Sequence, residues 1–585
     1  MYVSKREAAL YAGLAVFTFA WTGAFSLLGM DLHHDGVMFK AASDAAAGKW
    51  VFRETFCQYG LLSPLLQGAF LKLFGTELAA LKLATAAFYA PVVILCDLLW
   101  RRFLSPLFRA VNLVMFFVLA PYLTVPFHIW SSVYALFFML LGAELFLLAD
   151  EKGKGVFLYF SGLCAMLAFG FRQPCGVVML TAQIIALGIA RRCRNNGPPF
   201  RNALFPIKVG GSGGKGRTFF HVKKSFPFPP GPPSFSKKAG CFEQRSARPP
   251  SACDGSGSLP VCTLRAGLSP TRAGNRAFRK QLAILLAGAG TAALLFAAYI
   301  TAAGAWRDYL RQTFSFVGGF AFERGGGGRL YPLIEAFLPH SETMNFIFSF
   351  VPLTALGLFF FTCRKFFSSP RSMQKDLPLI SLLLFGLASY HQYYPVPCVR
   401  HLYWGAVPMF GAFALLMQRI AFSGLDCRKK VLFLSLLALP LLWGGALRMY
   451  GGLFRLSEFF VRTTTDVPGL RYIRHGQGEQ FICRVAADIR RNLPDHLKKR
   501  GVFNYTGDGV WSVILPEAKG FAHPMFVNWK KEVYPDYPEK ALAFIDRVRP
   551  AVMASTPFYH PAYVKAFEFR YMGTDYSFWL PVEGN

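Results

Sequence analysis

Asp31, His33, His34 and Asp35 fall within a single turn's length of chain, directly after the first long apolar run, and Gly36 follows them. Carboxylates beside imidazoles are the side chains of proton transfer, because both can accept a proton near neutral pH when their surroundings tune them. A carboxylate such as Asp35, placed just outside a bilayer, stands where an enzyme would handle a substrate presented by the membrane. It is expected to act on the acceptor and not to hold the fold. The loop that these residues open carries Lys40, Asp44, Lys49, Arg53, Glu54 and Tyr59 and runs on through GKWVFRETFCQYGLLSPLLQGAFLKLFG at 48–75.

Other connections assigned to the same face add to this set. Arg172 and Gln173 stand between two apolar runs, Arg307, Asp308, Arg311, Glu323, Arg324 and Arg329 occupy a long connection, and His391, Gln392, Tyr393, Tyr394, Arg400, His401, Tyr403 and Trp404 another. Arginines suit a phosphate, which the guanidinium fork binds bidentately. A carboxylate opposite them suits deprotonation of a hydroxyl or amine. Each residue also admits a structural explanation. Asp35 would serve as N-cap of a helix over 36–47, His33 and His34 as interfacial fillers, Arg172 as a snorkelling side chain, and Arg400 and His401 as part of an aromatic–basic belt. The FERGGGGRL run at 322–330 lacks the Lys-Ser/Thr of a phosphate-binding P-loop, and YTGDG at 505–509 reads as a strand-end turn.

Composition says what must position these groups. The 585 residues are 54% hydrophobic, 16% aromatic and only 16% charged, against about 25% charged in soluble domains. Apolar runs recur at the length that crosses a bilayer. The pattern predicts a polytopic α-helical membrane protein with about eleven transmembrane helices, at 8–30, 78–99, 104–125, 128–149, 156–171, 174–190, 281–303, 346–362, 376–391, 403–420 and 431–447. With Lys5 and Arg6 inside, every inner connection of that count is basic: Arg101 and Arg102, 151–154, 191–280, 364–375 and 418–430. That is the positive-inside pattern, and it explains the net charge of +31 without nucleic acid. The first run is longer than a signal-peptide core and no small-residue cleavage site follows it, so it reads as a retained span. Twelve cysteines without a CxxC pair argue against a structural zinc site.

Two segments depart from the pattern. Residues 191–280 hold GGSGGKG and PFPPGPPSF, with 18 Lys and Arg against Glu243 and Asp254, a net +16. Such sequence has no apolar periodicity with which to offset its chain entropy, and it reads as a disordered cytoplasmic insertion between an N-terminal module (1–190, catalytic loop 31–76) and a second one (281–447). Residues 448–585 alternate helical and strand-like patterns and read as a small extracytoplasmic α/β domain. Within it a helix is expected over 479–492, with Phe481, Ile482, Val485 and Ile489 on its buried face, and strands over 501–505 and 551–555.

Over 31–100 the chain resembles the first outer loop of the GT-C membrane glycosyltransferases, most nearly the bacterial protein-mannosyltransferase-like (family 39-like) group. The matching residues are Asp35, Gly36, Gly48, Lys49, Phe52, Arg53, Glu54, Phe56, Tyr59, Gly60, Leu73, Phe74 and Gly75; elsewhere the likeness is one of architecture, and Arg172-Gln173 and Arg400-His401 resemble basic positions of that group. The resemblance implies an inverting transferase of a bacterial inner membrane. It would move a sugar from a polyprenyl-phosphate donor to a glycan, lipid or protein acceptor, with Asp35 as base and His34, Arg53, Tyr59, Arg172, Gln173, Arg400 and His401 around the substrates. His-His replaces the group's usual paired acids, which leaves open both a role for Asp31 and a divalent metal held by Asp31, His33 or His34. The rival readings are a flippase of lipid-linked sugars, which would carry ionisable residues at midspan, and an O-antigen ligase-like or polymerase-like enzyme, whose main functional loop would come late in the chain. Deleting 197–275 is expected to leave sugar transfer largely intact in membranes; a variant that inserts normally yet transfers nothing would show the insertion to be functional.

Overall fold

The computed structural model describes residues 4–57, 59–196, 272–315, 346–368, 373–393, 398–519 and 537–582. The expected insertion core, the 322–330 run and Tyr394 lie outside the described residues. Eight helices among those described are long and apolar enough to cross a membrane: Lys5–Ser26, Leu78–Trp100, Ser131–Lys152, Gln173–Arg192, Asn275–Ala302, Ile347–Ser368, Val399–Ala421 and Cys427–Phe460. The molecule is thus a mostly helical, multi-pass membrane protein. The other expected spans, 104–125, 156–171 and 376–391, fall on Pro106–Val118, Gly155–Phe171 and Met373–Ala388, helices of 13, 17 and 16 residues, short of the roughly 20 that a span needs.

Local sequence accounts for the helix ends. Helix α1 (Lys5–Ser26) starts at a capping box in which Ser4 and Glu7 satisfy each other's backbone N–H groups. Helix α2 (His34–Ala46) is the first-loop helix and packs against α3 (Leu62–Phe74). Helix α4 (Leu78–Trp100) returns along α1, and α5 (Pro106–Val118) begins with a proline at its first turn. A short Pro121–Leu123 turn then leads, through Pro126, to an irregular stretch that ends where α6 (Ser131–Lys152) begins. Helix α7 (Gly155–Phe171) and helix α8 (Gln173–Asn196) are separated by Arg172 alone, whose extended backbone breaks them apart. The next helix, α9 (Arg272–Ala302), starts within the expected 191–280 insertion, so helices claim both of its ends.

Past the Cys427–Ser457 helix, which runs through the expected domain boundary at 448, the chain builds a four-stranded sheet in the order β1-β2-β4-β3. Strand β1 (Val502–Tyr505) pairs parallel with β2 (Ala551–Ala554), β2 pairs antiparallel with β4 (Thr574–Pro581), and β4 antiparallel with β3 (Tyr563–Tyr571). Met572 and Gly573, both with positive φ (46° and 80°), form the tight turn between β3 and β4, as two-residue hairpins require. The expected helix is present as Gln477–Asn492 but buries Ile482, Cys483, Ala486 and Ile489. Phe481 is exposed and Val485 only half-buried, so the apolar face is rotated from the expected one. Two short-chain residues, Cys483 and Ala486, stand on that buried face in the places expected for Phe481 and Val485.

The sheet region shares its cores with the first loop: one cluster of its own side chains, among them Phe503, Phe544 and Val552, takes in Phe56, and a second is shared more widely. Met38 and Phe39 of α2, Leu71 of α3 and Leu81 of α4 belong to that second cluster with Ile482, Trp511 and Phe578. Backbone joins the same parts: the Val510 N–H donates to the Leu32 carbonyl at 3.1 Å, and Gly29 donates to Arg474 at 2.9 Å. Gly36 sits where they meet, and a Cβ there would lie 2.1 Å from the Val510 nitrogen. Gly60 is equally tight, with the Gly170 carbonyl oxygen 2.0 Å from where a Cβ would be. Backbone atoms cannot rotate away as a side chain tip can. Gly36→Ala should therefore lower stability by about 1–3 kcal/mol, read as an earlier thermal unfolding of the detergent-purified protein; an unchanged transition would show that α2 and the 507–511 segment are free to part.

Candidate functional site

One buried ion pair organises the start of the first loop. Asp35 is 1% exposed and Lys82 of α4 fully buried, and the Lys82 Nζ lies 2.8 Å from Asp35 Oδ2. The same ammonium donates to the Gly29 and Phe127 carbonyls, each at 2.8 Å, so its three protons are all used. Asp35 Oδ2 also accepts the Asp31 N–H at 3.1 Å, while Asp31 Oδ1 accepts the His34 N–H at 2.7 Å. The two aspartates thus close the turn that starts α2. Asp31 does the capping, and Asp35 lies inside the helix and not at its N-cap as the sequence suggested.

This corrects the picture of Asp35 as an open carboxylate. Burial alone would raise its pKa, but the Lys82 charge and the His128 imidazole outweigh that and hold it below the usual range. Asp31, one helical turn earlier, keeps 22% of its side chain exposed. Burial works to raise Asp31 too, yet its hydrogen bond to His34 and the charges of His34 and His128 hold it well below an ordinary carboxyl.

His128 links the two acids. Its Nδ1 is 3.5 Å from Asp35 Oδ1 and its Nε2 is 3.7 Å from Asp31 Oδ2. It is 8% exposed, and burial lowers its pKa to about 4 despite Asp35, which keeps the imidazole neutral at physiological pH. The irregular 124–130 stretch that carries it is held from both sides, by Lys82 on the Phe127 carbonyl and by Gln67 of α3, which donates to the Ile129 carbonyl at 2.8 Å.

Trp130 is the hub of the remaining contacts. Its ring lies 5.2 Å from His34, 5.6 Å from His128, 6.3 Å from Tyr59 and 5.2 Å from His401 between centroids. Arg400 lies over the same indole at 5.9 Å and reaches to within 3.9 Å of Asp31 Oδ2. Tyr59, whose phenol burial pushes up to about 12, feels the charges of both Arg172 and Arg400. Arg172 donates to the Ser132 hydroxyl, and Gln173 is buried with a side-chain amide nitrogen that makes no hydrogen bond.

The structure therefore gathers Asp31, His34, Asp35, Tyr59, Arg172, Arg400 and His401 from distant parts of the chain. Two expected members go elsewhere. Arg53 donates to the Ala303 carbonyl at 3.0 Å, at the end of α9, and among the described residues no contact ties it to Asp35. His33 turns its Nδ1 to the Gly507 carbonyl at 2.8 Å, joining the loop to the sheet region. Lys40, Lys49 and Thr55 converge on Asp44 at 2.6, 2.7 and 2.8 Å, which marks those loop charges as structural. Lys82, His128 and Trp130 were not singled out in the sequence. A lysine within an apolar run was a legible signal, whereas His128 and Trp130 were hidden by reading 128–149 as one span.

No family model matches this chain, and no curated protein or solved structure matches it either. The site must be interpreted from its own geometry.

The Asp35–Lys82 pair yields a test. Asp35→Asn leaves the buried ammonium without its counter-charge, a loss worth about 3–5 kcal/mol when one partner of a buried pair is removed. Thermal unfolding in detergent should show that loss, with partial recovery in Asp35→Asn/Lys82→Met. Wild-type stability in Asp35→Asn would mean that the pair does not hold the loop.

Proposed function

We propose that this protein is an integral-membrane glycosyltransferase that moves a sugar from a polyprenyl-phosphate donor to an acceptor at the first-loop end of the bundle. The observation that carries the reading is the convergence of an accessible carboxylate, Asp31, with a guanidinium, Arg400, on the aromatic face of Trp130. The resemblance of 31–100 to the GT-C first loop supports it independently of that geometry.

In this reading the acceptor hydroxyl or amine attacks C1 of the sugar, the bond from C1 to the phosphate oxygen breaks with its electron pair leaving on the polyprenyl phosphate, and the anomeric configuration inverts. Arg400 and Arg172 hold the phosphate as charge builds on it, since guanidinium–phosphate contacts are strong and directional. The acceptor proton passes to Asp31, the carboxylate that solvent can reach. Asp35, buried and paired, is a positioning residue that sets Lys82, His128 and the start of α2. Trp130, Tyr59 and His401 supply the flat apolar and polar edges against which a sugar ring stacks. The cell setting that goes with this is a bacterial inner membrane with the site on the extracytoplasmic side.

Radiolabelled transfer from a panel of polyprenyl-phosphate sugars, in proteoliposomes, tests the reading. Asp31→Asn should cut turnover about a hundredfold or more while thermal unfolding stays near wild type. Near-normal turnover would remove Asp31 from the chemistry, and no transfer from any donor would count against the transferase itself.

A further inference from the structure

Asp31, His34 and His128 bring three side chains with metal-ligand chemistry together. One ligand atom from each lies within 4.8 Å of the other two. His34 Nδ1 is 3.1 Å from Asp31 Oδ1, and His128 Nε2 is 3.7 Å from Asp31 Oδ2. Ligand atoms around a tetrahedral zinc ion, with bonds of about 2.0–2.1 Å, stand roughly 3.3 Å apart, so only a modest rotamer adjustment separates this arrangement from that geometry. The His34 and His128 rings already lie nearly parallel, 22° apart, at 5.4 Å.

A second observation points the same way. His128 is 8% exposed, yet neither ring nitrogen has a hydrogen-bond partner. A buried imidazole left so costs free energy. An ion on Nε2 would satisfy one nitrogen, and Asp35 Oδ1, 3.5 Å from Nδ1 and itself without a hydrogen bond, would tighten onto the other. A metal-bound histidine whose second nitrogen donates to a carboxylate is the usual arrangement in such sites. Here Lys82 fixes that carboxylate in turn. The surrounding charges do not forbid a cation. Asp31 and Asp35 face Lys82 and Arg400, and the Arg400 guanidinium, 3.9 Å from Asp31, stands beyond hydrogen-bond reach of it.

We propose that Asp31, His34 and His128 bind one divalent transition-metal ion of the zinc type, with Asp35 orienting His128, and with the fourth coordination position open towards Arg400. Two imidazoles and one carboxylate with an open position suit zinc better than magnesium or calcium, which take oxygen ligands. The ion takes one oxygen of Asp31 and leaves the other to receive a proton, and a hydroxyl on the open position loses its proton more readily. Only this role rests on the transferase reading; the binding does not.

Titration of the chelator-treated, untagged protein with zinc alone, against a chromophoric competitor, tests the site. Wild type should bind one ion per chain, and cobalt should give the intense visible absorption of a four-coordinate centre. His128→Ala and His34→Ala should each weaken zinc about tenfold or more, and Asp35→Asn about 10- to 100-fold, whereas His496→Ala should not. His34 is partly exposed, so its variant folds even where the His128 variant does not. Zinc binding that is absent in wild type, or unchanged in His34→Ala, overturns the proposal. Transfer measured in the same preparations separates the two claims, since a chelator-treated enzyme that transfers at the wild-type rate overturns the ion's role in the chemistry and leaves the transferase standing.

Discussion

The buried contact between Asp35 and Lys82 is the constraint on which the site depends. A lysine inside an apolar helix is tolerable only if each of its protons finds a partner, and its three partners come from three separate places: Gly29 at the end of α1, Asp35 in α2 and Phe127 before α6. That one ammonium fixes the exit of the first span, the first turn of the loop helix and the irregular stretch carrying His128 and Trp130. Asp31 and His34 are then placed by the turn itself, and His128 by its position between two carboxylates.

The sheet region completes the arrangement from the other side. Among the described residues it contributes no ionisable group in contact with Asp31, but the Gly507 carbonyl holds His33 away from the cluster, and the 509–510 backbone lies against Gly36 with no room for a side chain. Its hydrophobic core is the underside of α2 and α3 as much as its own helix and strands. The result is a set of polar groups in a partly buried setting, where charge interactions are stronger than in water. The charges of Arg172 and Arg400 both act on one phenol, Tyr59, although 228 positions separate them in the chain.

Much of the architecture could be read from the residues, because span length and basic connections report a membrane bundle directly. The helix at 477–492 and the cores of β1 and β2 were legible for a similar reason, being bounded by glycine and proline. The β3–β4 hairpin was not. A register shift between Lys565 and Phe567 interrupts its alternation, and β3 is largely exposed, so neither face declares itself. Within the site, Asp31, His34, Arg172, Arg400 and His401 stood out as polar residues at span ends. His128 and Trp130 did not, since Phe127, Ile129 and Val133 around them carry an apolar run across the Pro126 break. The distinction between Asp31 and Asp35 was beyond sequence reasoning altogether: it rests on Lys82, 47 positions further on.

In the proposed transferase, the ring of groups around Trp130 receives a lipid-linked phosphate beside Asp31. A photoreactive polyprenyl phosphate, cross-linked to the protein in nanodiscs and mapped by peptide sequencing, addresses it without presupposing the sugar or the acceptor. Labelling is expected to be confined to the stretches around 31–35, 128–132, 172–173 and 400–404, competed by unlabelled polyprenyl phosphate and diminished in Arg400→Gln. Labelling that falls elsewhere on the bundle, or that excess polyprenyl phosphate fails to displace, would contradict it.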